Sequence, residues 1–169
     1  KTIFVGDTSV HEYPTSEQMV EIAISAARVV RLFGFDPKVA FVSHSTFGQP
    51  LTSRTKHIKN AVEILKNKNV NFEFDGDMQP DVALNEEYKA LYPFSKIVGN
   101  ANILIMPGQH SAAISYKMMK TLGDTKVIGP LLIGLGLPIE IAPLRSSTSE
   151  ILNLASIAAY SADVIDYKK

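Results

Sequence analysis

In this 169-residue chain the residues best suited to chemistry gather between Val98 and Ile151, where an apolar run, a Gly/Pro turn, a helix-forming stretch and an isolated arginine follow one another. Ile103 to Met106 has strand length, Pro107-Gly108 breaks it, and Ser111 is placed to cap a helix that reaches about Leu122 before Gly123 stops it. A strand feeding a helix start leaves outward N–H groups with the positive end of the helix dipole behind them, which suits phosphate or carboxylate. Tyr116 and Lys117 follow one turn into that helix. Arg145 stands between Ile-Ala-Pro-Leu and a second helix start, where the local dipole gives a cation nothing. The stretch reads as an anion-facing or acyl-facing cleft.

Several of these residues carry two readings. Ser147-Thr148-Ser149-Glu150 before Ile151, Leu152 and Leu154 is a capping box, which would engage Glu150 at a helix start; the same carboxylate is also a candidate base. Arg145 is a candidate anion contact or one half of a surface salt bridge. Lys117 either touches a ligand phosphate or is a solvated helix lysine. Arg54 and Lys56 sit beside a helix start, where they oppose the dipole unless an anion intervenes. Asp75, Asp77 and Asp81 match no oxygen-cage spacing and are expected in turns and caps. His110 lies in a turn without a companion ligand, so a metal role is not assigned to it.

Alternating elements must position these groups. Ile3 to Val5 is a strand. Thr15 caps a helix, with Gln18 completing the box, that runs to about Phe33 and is terminated by Gly34. Val39 to Ser43 is the next strand. After a polar loop, Ile58, Ala61, Val62 and Leu65 recur at helical spacing. Phe72 to Phe74 reads as a half-buried strand, Asp75-Gly76 as a turn, and Asp81 to Leu91 as a helix. Ile97-Val98 and Ile103 to Met106 follow. The closing helix, Thr148 to about Tyr160, is apolar on two sides and needs another surface to cover it. Strands regularly separated by helices imply parallel pairing with crossovers, hence an α/β class with three α/β/α layers around a mostly parallel sheet. Ser43-His44-Ser45-Thr46-Phe47-Gly48 then falls at the carboxyl end of a strand, where open α/β sheets hold ligands.

Composition narrows the classes. With 46% hydrophobic residues the chain can bury one sizeable core. Lys and Arg together number 17, as do Asp and Glu, and no basic stripe follows a helix, which argues against nucleic acid as a partner. Cysteine is absent, so a disulfide framework, a thiolate nucleophile and a zinc-thiolate site are excluded. No apolar run approaches the roughly 18 residues of a membrane span, no signal segment opens the sequence, and a cytoplasmic setting is expected. The abrupt start at Lys1-Thr2-Ile3-Phe4-Val5-Gly6 suggests a segment of a longer polypeptide.

Motif order then carries a resemblance. GNANILIMP, the Ser-rich turn, Tyr116-Lys117, IGPLLIGL and LP resemble the C-terminal half of phosphate acetyl/butyryltransferases. DTSVHEYPTSEQMVEIAI, KVAFVSHSTFG and FDGDMQPDVAL are similar to family segments of the form D-x-A-V-N-x-x-P-T-x-E-Q, K-V-A-x-L-S-x-S-T-x-G and D-G-E-L-Q-x-D-A-A-L. In wording, MPGQHSAAISYK and IAPLRSS are closer to the phosphotransacetylase-like region that forms the C-terminal part of large bacterial NADP-dependent malic enzymes. The resemblance implies an isocitrate/isopropylmalate dehydrogenase-like fold, with residues 1–142 as an α/β/α domain and residues 143–169 as a helical segment packing on a first domain outside this sequence. It also implies a homodimer or higher homo-oligomer.

For the site, the resemblance implies ligand contacts to acetyl-CoA or phosphate from Ser45, Thr46, Gly48, Arg54, Tyr116, Lys117 and Arg145. Active members carry a Ser-Arg-Gly tripeptide shortly before a carboxylate pair. Counted back from Ile151 without gaps, its first two positions hold Pro143 and Leu144, and the pair becomes Ser149-Glu150; with one gap, Leu144-Arg145 replaces Ser-Arg. Either way the serine is lost and Glu150 is the carboxylate left at the base position. Loss of one preorganised polar group commonly costs about a hundredfold in rate. The expectation is therefore a regulatory acetyl-CoA sensor without confident catalytic residues, Arg145 and Glu150 being residual candidates, with no cofactor in this segment and NADP and Mg or Mn bound elsewhere in the parent. The alternative is an active acyltransferase fragment.

Overall fold

The computed structural model describes residues 1–164. They form β1 (Phe4–Gly6), α1 (Ser16–Leu32), β2 (Lys38–Val42), α2 (Ser53–Lys66), β3 (Glu73–Met78), α3 (Pro80–Leu84), α4 (Glu86–Lys89), β4 (Ile103–Ile105), α5 (Gln109–Leu122) and α6 (Thr148–Val164). The chain divides into two compact units, Lys1–Ser115 and Tyr116–Lys169. Residues 165–169 of the expected C-terminal segment lie outside the described residues.

The first unit is built on a four-stranded sheet of order β1-β4-β2-β3 in which every pairing is parallel. Strand side chains alternate between two cores, as a period of two requires. Val39, Phe41, Ile103 and Ile105 face α1 and α2, meeting Met19, Val20, Val30, Ile58 and Leu65. Ala40, Val42, Leu104 and Met106 face the other way, against Met78, Val82 of α3, Ile97 and Ala112 of α5. Both faces are covered, which is why these strands lack a polar side. Each fully buried large side chain contributes about 1.5–3 kcal/mol.

Local chemistry sets the helix starts. The Thr15 hydroxyl accepts from the Gln18 amide at 3.2 Å, and the Gln18 side chain accepts from the Thr15 amide at 2.8 Å. Gly34, at φ +80°, turns the chain out of α1. The same capping device opens α2, where Thr52 and Thr55 exchange bonds.

Four local expectations are corrected. Asp75-Gly76 is not a turn: both residues lie inside β3, which continues to Met78. The register explains this. Phe41 opposes Gly76 and Val42 opposes Met78, so Asp77 is an extra residue, and the strand bulges there. Only glycine fits at the bulge. Gly76 has φ +155°, and a Cβ on it would lie 2.7 Å from the Phe41 carbonyl oxygen.

Asp81 to Leu91 is two short helices, because Asn85 adopts extended backbone and uses its side-chain oxygen to accept from the Glu87 amide at 2.9 Å, starting α4. Ile97-Val98 forms no strand; Ile97 fills the second core while the Val98 amide donates to the Glu73 carboxylate at 2.7 Å. Ser111 does not cap α5, which begins two residues earlier. Its hydroxyl donates to the Gly108 carbonyl at 2.8 Å from within the first turn. Gly108 itself is pressed against the β1–α1 loop, where a Cβ would come 2.8 Å from the Glu12 carbonyl oxygen.

In the second unit α6 runs past Tyr160 to Val164. Leu154 is its buried residue, while Ile151, Leu152, Tyr160 and Val164 are exposed. Among the described residues, no helix is long and apolar enough to cross a membrane.

Candidate functional site

All four strands of the first unit deliver their following loops to one edge of the sheet, since they run in parallel. The loop after β2 is organised by Asp77. This carboxylate, 1% exposed, accepts the Ser45 hydroxyl on one oxygen and the Gly48 amide at 2.9 Å on the other. Its backbone carbonyl takes the Phe47 amide at 2.6 Å. Ser45 also lies 3.2 Å from the Ser43 hydroxyl, and Thr46 Oγ1 accepts from the Gln79 amide at 3.2 Å. The hydroxyls of Ser45 and Thr46 therefore point into the protein and hold the loop. Phe47 and Gly48 take positive φ, and His44 is left exposed.

The loop after β1 is organised by a second carboxylate. Asp7 accepts from the amides of Ser9, Val10 and His11 at 2.8, 3.0 and 2.9 Å, and meets His11 Nδ1 at 2.8 Å. Burial works against its charge, but these bonds outweigh that and hold its pKa below the ordinary value. Farther along, the Ser16 hydroxyl, at the first turn of α1, donates to the His57 carbonyl at 2.9 Å, and His57 Nε2 donates to the Pro14 carbonyl at 2.8 Å. The start of α1 is thus tied to α2. The Gln109 amide donates to the Glu12 carbonyl at 3.1 Å, tying the start of α5 to the same loop.

These ties bring three exposed side chains together. The Arg54 guanidinium carbon lies 5.9 Å from the centroid of the Tyr13 ring, and the His110 ring stacks on Tyr13 at 6.5 Å with 12° between planes. Glu12 Oε1 is 3.9 Å from His110 Nε2. Arg54 has no ion-pair partner among the described residues. Lys56, two residues on, faces a different side of α2 and does not join it.

A shallow hollow runs along β3 on the flank of the same unit. Its charges cancel, with Lys59, Lys66 and Lys96 facing Glu63, Asp75 and Asp77. Asp75 is used by the amides of Gly76 and Lys96 at 3.0 and 2.7 Å, and Asp81 by that of Val82 at 2.9 Å. Among the described residues, no grouping of three or more His, Asp or Glu could hold a metal ion.

In the second unit Glu150 is fully engaged. One oxygen accepts from the Ser147 amide at 2.8 Å and its hydroxyl at 3.0 Å; the other accepts from Lys120 Nζ at 2.9 Å. The Glu150 amide returns a bond to Ser147 Oγ at 3.3 Å, completing the capping box. The Ser147 amide, then Lys120, then the Ser147 hydroxyl bring the Glu150 pKa down to about 2. At neutral pH such a carboxylate is a poor proton acceptor.

Arg145 is exposed, in a turn closed by the Ser146 amide on the Pro143 carbonyl at 2.9 Å, and has no ion-pair partner among the described residues. Leu144 is wholly exposed. Lys117 is exposed, its Nζ 6.0 Å from the half-buried Tyr116 ring.

Sequence reasoning reached the β2–α2 loop through its position but missed the parts played by Asp77, Asp7 and Tyr13, and the pairing of Tyr13 with His110. Asp7 had an available signal, since an Asp followed by Thr-Ser is a natural acceptor for the amides ahead of it.

The family described as Phosphate acetyl/butaryl transferase matches residues 1–159. An NADP-dependent malic enzyme of Rhizobium meliloti is 47% identical over 162 residues, covering 96% of this chain and 21% of that protein. A phosphate acetyltransferase of Clostridium acetobutylicum is 35% identical over 162 residues, covering 95% of this chain and 49% of that protein. The crystal structure of a phosphotransacetylase from Streptococcus pyogenes superposes with a TM-score of 0.89 at 34% identity, over 94% of this chain and 49% of that one. The chain thus spans about a fifth of the malic enzyme and half of the phosphate acetyltransferase that it matches. By sequence match and by architecture, the chain belongs to the phosphate acetyl/butaryl transferase family.

Proposed function

We propose that this chain is a non-catalytic, acetyl-CoA-sensing and dimerisation region of a cytoplasmic NADP-dependent malic enzyme. The parent would decarboxylate malate oxidatively to pyruvate with NADP and Mg or Mn bound elsewhere in the polypeptide. The observation that carries the sensor reading is the state of Glu150. The one carboxylate left at the base position is engaged as a helix cap, bound to Lys120 and depressed to a pKa of about 2, while Pro143 or Leu144 stands where active members place a serine. A site that has lost both its base and a polar group retains binding more readily than turnover. The higher identity to a malic enzyme than to a phosphate acetyltransferase supports the choice of parent. The exposed apolar residues of α6 support a covering partner, for which a second copy is the proposal.

The competing reading, an active acyltransferase moving acyl groups between phosphate and CoA, draws on the 35% identity to the Clostridium enzyme. Two measurements on the intact polypeptide separate them. Calorimetry with acetyl-CoA is expected to give saturable binding, and malate-dependent NADPH formation is expected to respond to it. Incubation with acetyl phosphate and CoA is expected to release no phosphate above background. Phosphate release at enzymic rates would establish the transferase instead, and absence of acetyl-CoA binding would remove the sensor.

A further inference from the structure

Asp7 and His11 form a pair that goes beyond what the loop after β1 needs to hold its shape. The Asp7 carboxylate accepts the amides of Ser9, Val10 and His11, and these bonds alone close the loop. His11 Nδ1 adds a fourth contact at 2.8 Å. An ionised carboxylate only accepts, so Nδ1 carries the ring proton, and Nε2 of the neutral imidazole is left with a bare lone pair. Nε2 has no partner among the described residues, and the side chain is 32% exposed. The similar family segments of the form D-x-A-V-N hold Asn where this chain has His11. An Asn amide can donate to a carboxylate just as Nδ1 does, so what His11 adds to the loop is its second ring nitrogen.

The fold gives that nitrogen something to act on. The loop lies at the carboxyl edge of the parallel sheet, beside the start of α5, whose Gln109 amide donates to the Glu12 carbonyl. α5 has 14 residues and no acidic side chain in its first turn, so none of its own charges offsets its positive end, a setting that suits phosphate. The nearby Glu12 carboxylate is engaged with His110, 3.9 Å from its Nε2. A bare, oriented imidazole nitrogen backed by a carboxylate is a nucleophile. We infer that His11 Nε2 is a phosphoryl-acceptor site served by acyl phosphates. Nε2 attacks phosphorus, and the N–P bond forms as the bond from phosphorus to the acyl oxygen breaks. The carboxylate leaves with that electron pair and needs no proton. The ring keeps its Nδ1 proton, and Asp7, as the positioning residue, neutralises the positive charge the ring acquires. Acetyl-CoA plays no part in the step, so its success or failure is independent of acetyl-CoA sensing.

The test incubates the intact polypeptide with acetyl phosphate carrying radioactive phosphorus. The wild type is expected to take up label that is labile in acid and stable in alkali, located on His11 by peptide mass spectrometry and on Nε2 by phosphorus NMR. His11→Asn, which keeps the bond to Asp7, is expected to melt as the wild type does and to take no label. Asp7→Asn can donate to Nδ1 and so move the ring proton to Nε2, and is expected to slow labelling by about a hundredfold or more. Nitrogen NMR of the unlabelled wild type is expected to find the His11 proton on Nδ1. A wild type that takes no label, label that persists in His11→Asn, or an Nε2-protonated ring overturns the assignment. Labelling from ATP but not from acetyl phosphate overturns the donor. Calorimetry with acetyl-CoA on the same preparation reads the sensor separately.

Discussion

Ser45 donates its buried hydroxyl to the carboxylate of Asp77, joining the loop after β2 to the bulged end of β3. The same carboxylate takes the Gly48 amide at 2.9 Å, so removing it leaves a buried hydroxyl and an amide without their acceptor. Hydrogen bonds to a charged group are worth about 1.5–3 kcal/mol each, and an orphaned buried donor adds its own desolvation cost. Asp77→Ala is therefore expected to destabilise the protein by about 3 kcal/mol or more, and Ser45→Ala by about 1–2 kcal/mol. Urea unfolding of both variants and of the double variant checks this. The double variant should cost less than the sum, because the two residues share one bond.

Gly76 gives a sharper contrast. With φ at +155° and only 2.7 Å between an added Cβ and the Phe41 carbonyl oxygen, alanine must push β3 away from β2 or undo the bulge. Overpacking and backbone strain together predict a loss of about 3 kcal/mol or more for Gly76→Ala. Gly34 also has positive φ, at +80°, but nothing lies within 4 Å of its would-be Cβ. Gly34→Ala is expected to cost only the left-handed backbone term, about 1–2 kcal/mol. Thermal melts of the two variants side by side separate crowding from conformation.

The same residue shows where local reasoning stops. Asp-Gly is a turn signal by its own chemistry, and only the pairing of Gly76 with Phe41 turns it into a strand bulge. The α1 cap, by contrast, depends on residues three apart, and Thr15 and Gln18 announce it in the sequence. The apolar runs Val39 to Val42 and Ile103 to Met106 are readable for the same reason, as is the parallel α/β order. The break at Asn85 is not, because an Asn between Leu84 and Glu86 fits a helix interior as well as a cap until its side chain finds the Glu87 amide. At the site, topology alone places the β2–α2 loop. It cannot give Asp77 its role, since the partners of Asp77 lie about 30 residues upstream and meet it only across the sheet. Tyr13 and His110 are farther apart still in the chain, and the parallel order that sets β1 beside β4 is what stacks them.

Glu150 carries a prediction about pH. Its pKa, about 2 in the folded protein against 4.5 ordinarily, is lowered, so its charged form is favoured by folding. The contribution is therefore fully present above pH 4.5 and is lost as the pH falls toward 2. Glu150→Gln removes the charge but can still accept from the Ser147 amide. The difference in melting temperature between wild type and Glu150→Gln should thus be constant from neutral pH down to about 4.5 and close below it. Lys120→Ala should bring the Glu150 titration upward toward the ordinary range, because the Lys120 ammonium is the second largest cause of the depression after the Ser147 amide. Carbon-detected NMR of the Glu150 carboxyl in the two proteins reads this directly. An unshifted titration in Lys120→Ala would mean that the ion pair at 2.9 Å does not hold the carboxylate in solution. A wild-type titration already in the ordinary range would remove the cap's hold as well, and Glu150 would regain the proton affinity that a base requires.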